Sequence, residues 1–251
     1  MKYTYDQLAK MIDHSLLHPA MTDRELEDGC RIAAEYGVAS VCIKPYAVRR
    51  AVELLKGTGV IVGCVIGFPH GNSLTESKRY ETELACRDGA AEIDMVMNIG
   101  KALSGDWEYV ERDVKTVCDE AHKRGAKVKV ILENDYLTKG GAGLSGDDLN
   151  RQLCRICERA GADWVKTSTG FGFVKGPDGS YNYKGATEHD LRLMRESCSP
   201  KVQVKAAGGV RDLDGLILVR DVGATRCGAS ATVAILDEYR RRQAAEEGGK
   251  N

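Results

Sequence analysis

The chain has no apolar run approaching the ~20 residues that a membrane-spanning helix needs. Its opening, Met1-Lys2-Tyr3-Thr4-Tyr5-Asp6, has no apolar stretch of the kind a secretory leader carries. A cytoplasmic protein without a membrane partner is therefore expected. An excess of one charge is also missing. The 36 Lys and Arg face 37 Asp and Glu, for a formal net charge of −1. No overall basic field exists to hold nucleic acid by counterion release, so no nucleic-acid partner is expected. The 28 glycines follow no period, and the chain is 43% hydrophobic and 29% charged. A collagen-like or disordered chain is excluded. Nine cysteines are an odd number for a disulfide framework. Several sit in apolar strand-like runs (Cys42, Cys64) or helix-like runs (Cys30, Cys154). The Cys-x-x-Cys spacing of Cys154 and Cys157 has no second pair or nearby His. It reads as buried thiols on one helix face, not a zinc or redox centre.

At 251 residues the chain has the length of one or two ordinary domains, or of one α/β barrel. A single pattern repeats along it. An amphipathic segment ends in Gly or Gly-Ala and an apolar strand follows at once, as at Gly37, Gly89, Gly125, Gly161 and Gly223. Glycine in the left-handed conformation closes a helix and lets the strand start without a long loop. Strands are expected over 12–16, 38–43, 60–67, 91–98, 127–133, 163–168, 202–206 and 224–228. Helices are expected over 23–36, 46–56, 73–88, 106–124, 146–160, 187–197, 213–221 and 230–242, with Thr22 and Thr187 as N-caps. Strict alternation implies parallel strands with helical crossovers. Eight such units predict an α/β fold, a (β/α)8 TIM barrel forming one domain over 1–251, with a short N-terminal helix and a frayed tail over 244–251. A doubly wound open sheet is the competing arrangement.

Charge inside the strands is the informative anomaly. Val165-Lys166-Thr167 and Val204-Lys205-Ala206 each put a lysine in a short apolar strand, and Asp94 lies within Glu92-Ile93-Asp94-Met95-Val96-Met97. Along 127–133 the residues Lys127, Lys129, Ile131 and Glu133 alternate with apolar neighbours. Alternate side chains face opposite sides of a strand. Charges packed under helices would be costly, so these should point to the barrel axis and its catalytic C-terminal mouth. Structural ion pairs across the axis are the plainer alternative. Two lysines meeting at one place, in a buried setting, disfavour each other's charged form. A neutral amine can attack a carbonyl to form a Schiff base, and a neighbouring aspartate can move protons.

On these residues the chain resembles the deoxyribose-phosphate aldolase family. The resemblance runs in order through Ile12-Asp13-His14-Ser15-Leu16-Leu17, Val65-Ile66-Gly67-Phe68-Pro69-His70-Gly71, Glu92 to Gly100, Val128 to Glu133, Val165-Lys166-Thr167-Ser168-Thr169-Gly170-Phe171, Val204 to Arg211 and Gly223 to Ser230. It covers nearly the whole chain, and the two lysine motifs together make it specific. It implies a TIM-barrel class I aldolase that reversibly cleaves 2-deoxy-D-ribose 5-phosphate to D-glyceraldehyde 3-phosphate and acetaldehyde. Lys166 would form the Schiff base. Lys205 would be the second lysine that favours the neutral amine, and Asp94 the proton donor and acceptor, working with an ordered water. Asp13 and Ser15 match a supporting Asp-x-Thr, with Ser for Thr. Lys129 matches a lysine beside the aspartate, and Cys42 a cysteine at the pocket edge. No metal or other cofactor is implied, because the iminium takes the electrons. The phosphate would bind at Thr169, Gly170, Gly208, Gly209, Gly228 and Ser230, in the turns after the last three strands, where glycine lets backbone N–H groups approach. Tight βα turns alone would also use such glycines.

Departures bear on substrate choice. Phe171 stands where some members carry a phosphate-contacting lysine, and His18 and Lys44 replace residues more usual beside their motifs. The segment 173–184 is longer than the family's usual connection. It is either a lid or a surface excursion turning at Pro177-Asp178-Gly179. The tail lacks a terminal tyrosine that some members use. A related aldolase with another phosphorylated substrate, a metal-dependent barrel enzyme and a non-catalytic binder of phosphorylated ligands are the rivals. His14 and His18 have an i,i+4 spacing, but a strand over 12–16 and Pro19 oppose a helical metal pair. Homo-oligomers are common among similar enzymes.

Overall fold

Capped amphipathic helices alternating with short apolar strands set the architecture. The computed structural model describes residues 1–248. Eight parallel strands close into one barrel: β1 (Ile12–Leu16), β2 (Ser40–Ile43), β3 (Ile61–Ile66), β4 (Glu92–Val96), β5 (Lys127–Ile131), β6 (Trp164–Lys166), β9 (Gln203–Ala207) and β10 (Arg226–Ala229). Two further strands, β7 (Val174–Lys175) and β8 (Tyr181–Asn182), pair antiparallel as a hairpin between β6 and β9. Barrel neighbours follow chain order, and β1 closes on both β2 and β10. Closure excludes the open doubly wound sheet, since an open sheet leaves two edges.

The crossover helices are Asp23–Glu35, Val48–Leu54, Thr75–Arg87, Trp107–Lys123, Gly146–Arg159, Glu188–Ser197, Leu213–Asp221 and Thr232–Gly248. Thr22 caps the first of them with a reciprocal Glu25 box, and the Thr187 side chain accepts from Asp190 N. The residues on the outward strand faces, among them Val41, Cys64, Ile93, Val130, Val165 and Val204, are fully buried under these helices. That layer excludes water from one side of the barrel wall and leaves the inward face as the place for polar side chains.

Several boundaries differ from the sequence expectation. β1 matches at 12–16 and β9 is shifted by one residue, while the other six barrel strands are shorter by one to three residues. The stretch 46–56 splits into a 3-10 turn at Pro45–Ala47 and the helix Val48–Leu54, since Pro45 starts the first turn. The last helix begins at Thr232 and runs to Gly248. Residues 244–248 of the tail expected to fray are thus helical, and Glu246 meets the Met1 ammonium at 2.6 Å; 249–251 lie outside the described residues. Short helices at Tyr5–Ala9, Ile99–Leu103 and Asn134–Leu137 complete the chain. The first is the expected N-terminal helix.

Candidate active site

Register decides which side chains meet. Asp94 lies opposite Lys129, Ile131 opposite Lys166, Lys166 opposite Lys205, and Lys205 opposite Arg226. Gly228 lies opposite Asp13, and Asp13 opposite Ser40. Paired positions in neighbouring strands share a face, so one inward layer collects the charged residues of β1, β4, β5, β6, β9 and β10.

Asp94 is the junction. Its Oδ2 accepts from Lys166 Nζ at 2.8 Å and from Lys205 Nζ at 2.6 Å, and its Oδ1 accepts from Lys129 Nζ at 3.1 Å. Cys42 Sγ stands 3.7 Å from the same Oδ2. Asp13 Oδ2 lies 2.5 Å from Lys205 Nζ and 3.4 Å from Lys129 Nζ, while its Oδ1 accepts from Ser40 Oγ at 2.7 Å and from the Arg226 guanidinium. Glu92 pairs with Lys129 and, at 2.8 Å, with Arg226. The network holds four cations, Lys129, Lys166, Lys205 and Arg226, against three carboxylates, Asp13, Glu92 and Asp94. One cation is in excess.

Burial alone would push Asp94 and Asp13 up, but the surrounding cations more than offset it. Lys129, Lys166 and Lys205 hold Asp94 well below the usual carboxylate range, and Lys129, Lys205 and Arg226 do the same for Asp13. Burial likewise pulls Lys205 and Lys129 down, and the Asp13 and Asp94 carboxylates reverse it, leaving both raised. This corrects the sequence expectation that the two lysines simply repel. An aspartate oxygen sits between their ammonium groups and stabilises the charge on Lys205.

Above the layer opens a cavity of roughly 300 Å³. Ser15, Cys42, Lys166, Thr169, Gly170, Lys205, Gly208, Gly209, Gly228 and Ser230 all line it. Asp94, Asp13 and Lys129 lie beneath, at most 1% exposed. Gly170 and Gly208 have φ near +84° and Gly209 +87°, conformations that turn the chain sharply at the mouth. Thr169 is engaged elsewhere: its N–H and hydroxyl donate to Glu133. Ser15 faces the cavity one layer above Asp13.

Residues that strand periodicity did not single out complete the site. Glu92 shares the parity of Asp94, and Arg226 sits two residues before Gly228, so alternation could have found both. Arg211, His18 and Tyr183 line the cavity from loops, where no periodicity reports direction. Phe171 packs edge-on against Phe68, ring centroids 5.6 Å apart, and forms an apolar wall with Leu17, Cys42 and Val65. His14 points away from His18, hydrogen-bonding Thr232 at 2.8 Å under the last helix. Among the described residues, no group of three or more His, Cys, Asp and Glu side chains is arranged to hold a metal ion.

A closed parallel barrel with lysines and aspartates converging beneath a glycine-rimmed mouth defines a TIM-barrel protein equipped for proton transfer and amine chemistry. Residues 7–236 match the model of the DeoC/LacD family aldolases, and the chain belongs to that family. It is 48% identical over 240 residues to a Rhodopirellula baltica protein named deoxyribose-phosphate aldolase, covering 96% of this chain and 92% of that one. A Clostridium perfringens protein of the same name is 46% identical over 231 residues, covering 92% and 95%. The tetrameric structure of deoxyribose phosphate aldolase from Aeropyrum pernix superposes with a TM-score of 0.80 at 32% identity, covering 94% of this chain and 92% of that one. No helix among the described residues is long and apolar enough to cross a membrane.

Proposed function

We propose that the chain is a Schiff-base aldolase that reversibly cleaves 2-deoxy-D-ribose 5-phosphate to D-glyceraldehyde 3-phosphate and acetaldehyde. The observation that carries this reading is Asp94 Oδ2 shared between Lys166 Nζ at 2.8 Å and Lys205 Nζ at 2.6 Å. Lys166 pairs with one carboxylate, whereas Lys205, Lys129 and Arg226 each pair with two or more. Lys166 therefore has the fewest carboxylate partners of the four cations, and as a free amine it is the nucleophile. The free amine attacks the C1 aldehyde of the open-chain sugar, and the carbinolamine loses water to give an iminium. Removal of the C3-hydroxyl proton sends the C2–C3 bonding electrons into the iminium. Glyceraldehyde 3-phosphate leaves, and an enamine remains on Lys166. Protonation at C2 and hydrolysis release acetaldehyde and restore the amine. Asp94 exchanges protons at these steps, and the Lys205 ammonium on the same oxygen keeps that carboxylate ionised to receive them. Asp13, Lys129 and Ser15 support that exchange, and Cys42 borders the aldehyde end. The turns at Gly170, Gly208–Gly209 and Gly228–Ser230 receive the phosphate through backbone N–H groups, with Arg211 adding positive charge.

A related aldolase with a different phosphorylated substrate is the second reading. It is favoured by Phe171 and Tyr183, which line the cavity with aromatic surface. A homo-oligomer is part of the proposal, supported by the tetrameric A. pernix relative. So is a cytoplasmic setting, supported by nine free cysteines.

Borohydride reduction in the presence of deoxyribose 5-phosphate, followed by peptide mapping, tests substrate and chemistry together. A substrate-derived adduct on Lys166 is expected. An adduct on another lysine, or none in protein that turns the substrate over, would overturn the assignment.

A further inference from the structure

Resting on the reading above, the geometry points to Glu133 as a positioning residue that shapes the phosphate end of the cavity, with Asp135 holding the adjoining wall. Glu133 lies two residues beyond the end of β5 and is 1% exposed. Its backbone is left-handed, φ +55° and ψ +62°, a conformation that costs a residue with a side chain free energy and persists only where its surroundings enforce it. What enforces it here is the turn after Lys166. Thr169 N–H donates to Glu133 Oε1 at 3.1 Å, and the Thr169 hydroxyl donates to Oε2 at 2.5 Å. That hydroxyl in turn accepts from Phe171 N–H at 2.9 Å. The approach is so close that a Cβ on Gly172 would lie 2.9 Å from Glu133 Cδ. One buried carboxylate thus fixes the backbone of 169–171, three residues that line the cavity.

The next two residues extend the clamp. Asn134 N–H donates to Thr167 O at 3.0 Å. Asp135 accepts from Lys184 N–H at 2.6 Å and from Gly185 N–H at 3.0 Å. Gly185 is pressed on the second glycine turn: a Cβ there would sit 2.7 Å from the Gly208 carbonyl carbon. Asp135 therefore ties the end of the hairpin insertion to the Gly208 turn. Residues 133–135 brace both walls from behind, and none of them faces the cavity. The aldehyde end depends on a different set of bonds, made by barrel side chains to Asp94 and Asp13. Loss of the clamp should weaken phosphate recognition and spare imine formation. A residue that only supported the fold would impair both alike.

The experiment compares wild type, Glu133→Gln, Glu133→Ala and Asp135→Asn, each checked for native circular dichroism. Calorimetric titration with inorganic phosphate needs no chemistry, and phosphate binding tenfold or more weaker is expected in the variants. In aldol addition of acetaldehyde, KM for D-glyceraldehyde 3-phosphate should rise tenfold or more. KM for unphosphorylated D-glyceraldehyde, and borohydride trapping of acetaldehyde on Lys166, should change less than twofold. Glu133→Gln, which keeps one acceptor oxygen, should fall between wild type and Glu133→Ala. Phosphate affinity unchanged within twofold, trapping lost in parallel with it, or no phosphate binding by wild type would each overturn the proposal. If Glu133→Ala does not fold, Glu133→Gln and Asp135→Asn carry the comparison and should give the same selective loss. Wild type that binds phosphate but traps no aldehyde would instead sink the aldolase reading alone.

Discussion

At the scale of single residues, the arrangement turns on how the buried cations share their carboxylates. Lys205 bridges Asp13 and Asp94 and is held in its charged form by both. Lys166 shares only Asp94. Removing Lys205 takes one of the two ammonium groups off Asp94 Oδ2 and leaves that oxygen to Lys166. The expected outcome for Lys205→Leu is a fall of at least tenfold in kcat/KM at pH 7, with the rising limb of the pH–rate profile moved to higher pH. An unaltered limb would contradict the charge argument. Lys166→Ala should abolish trapping without disturbing Lys205, whose own partners remain.

At the scale of elements, the helices around the barrel carry a buried pair of their own. Lys78 on the helix Thr75–Arg87 reaches Asp113 on Trp107–Lys123 at 2.6 Å and donates to Val96 O at 3.0 Å, with both side chains fully buried. Thr75 Oγ donates to the other Asp113 oxygen at 2.8 Å. Burial pulls the Lys78 ammonium down and Asp113 only partly restores it. Lys78→Met leaves a buried carboxylate with a single hydroxyl partner, and a loss of about 3–5 kcal/mol of stability in urea denaturation is expected. Lys78→Met with Asp113→Leu should recover most of that loss. A single variant as stable as wild type would mean that the pair locks no helix contact. The hairpin of β7 and β8 is the other element of note. It sends Tyr183 into the cavity, and its exit at Lys184 and Gly185 is anchored on Asp135.

At the scale of the whole molecule, the buried titratable groups set a pH window. Asp13 and Asp94 are depressed, so their contribution is complete above the ordinary carboxylate range of ~4 and is lost as pH falls through their folded values. Lys129 and Lys205 are raised, so theirs is complete below ~10 and is lost only at higher pH. Between those limits these four groups leave stability flat. His14 acts inside that interval. Burial lowers its imidazole to about 4. Its contribution is present above the unfolded value of ~6.5 and is lost as pH falls towards 4, a change of about 3 kcal/mol. Thermal unfolding should therefore show Tm declining from pH 6.5 to 4. His14→Gln, which can keep a hydrogen bond to Thr232, should flatten that decline. A slope unchanged in the variant would remove His14 as its source.

Much of this was legible in the amino-acid order alone. Period-2 alternation in 92–96 and 127–131 and the lysines at 166 and 205 needed only strand geometry to be assigned to one face, whereas Glu133, beyond the end of β5, left that pattern. Helix–Gly–strand repetition needed only local turn chemistry to imply eight units. These are local properties, and local propensities set them wherever the chain folds. The tertiary structure decided what depends on residues far apart in sequence. Closure of β1 on β10 brought Asp13 to Lys205 and Arg226, and Asp94 reached Lys166 and Lys205 across the barrel, so that an anion stands against each ammonium. The engagement of Thr169 by Glu133, the entry of Tyr183 and Arg211 into the cavity, and the burial of Lys78 between two helices follow the same rule. Each depends on the direction of a loop or the packing of a neighbour. Coulomb energy varies with separation in space, and separation along the chain does not report it.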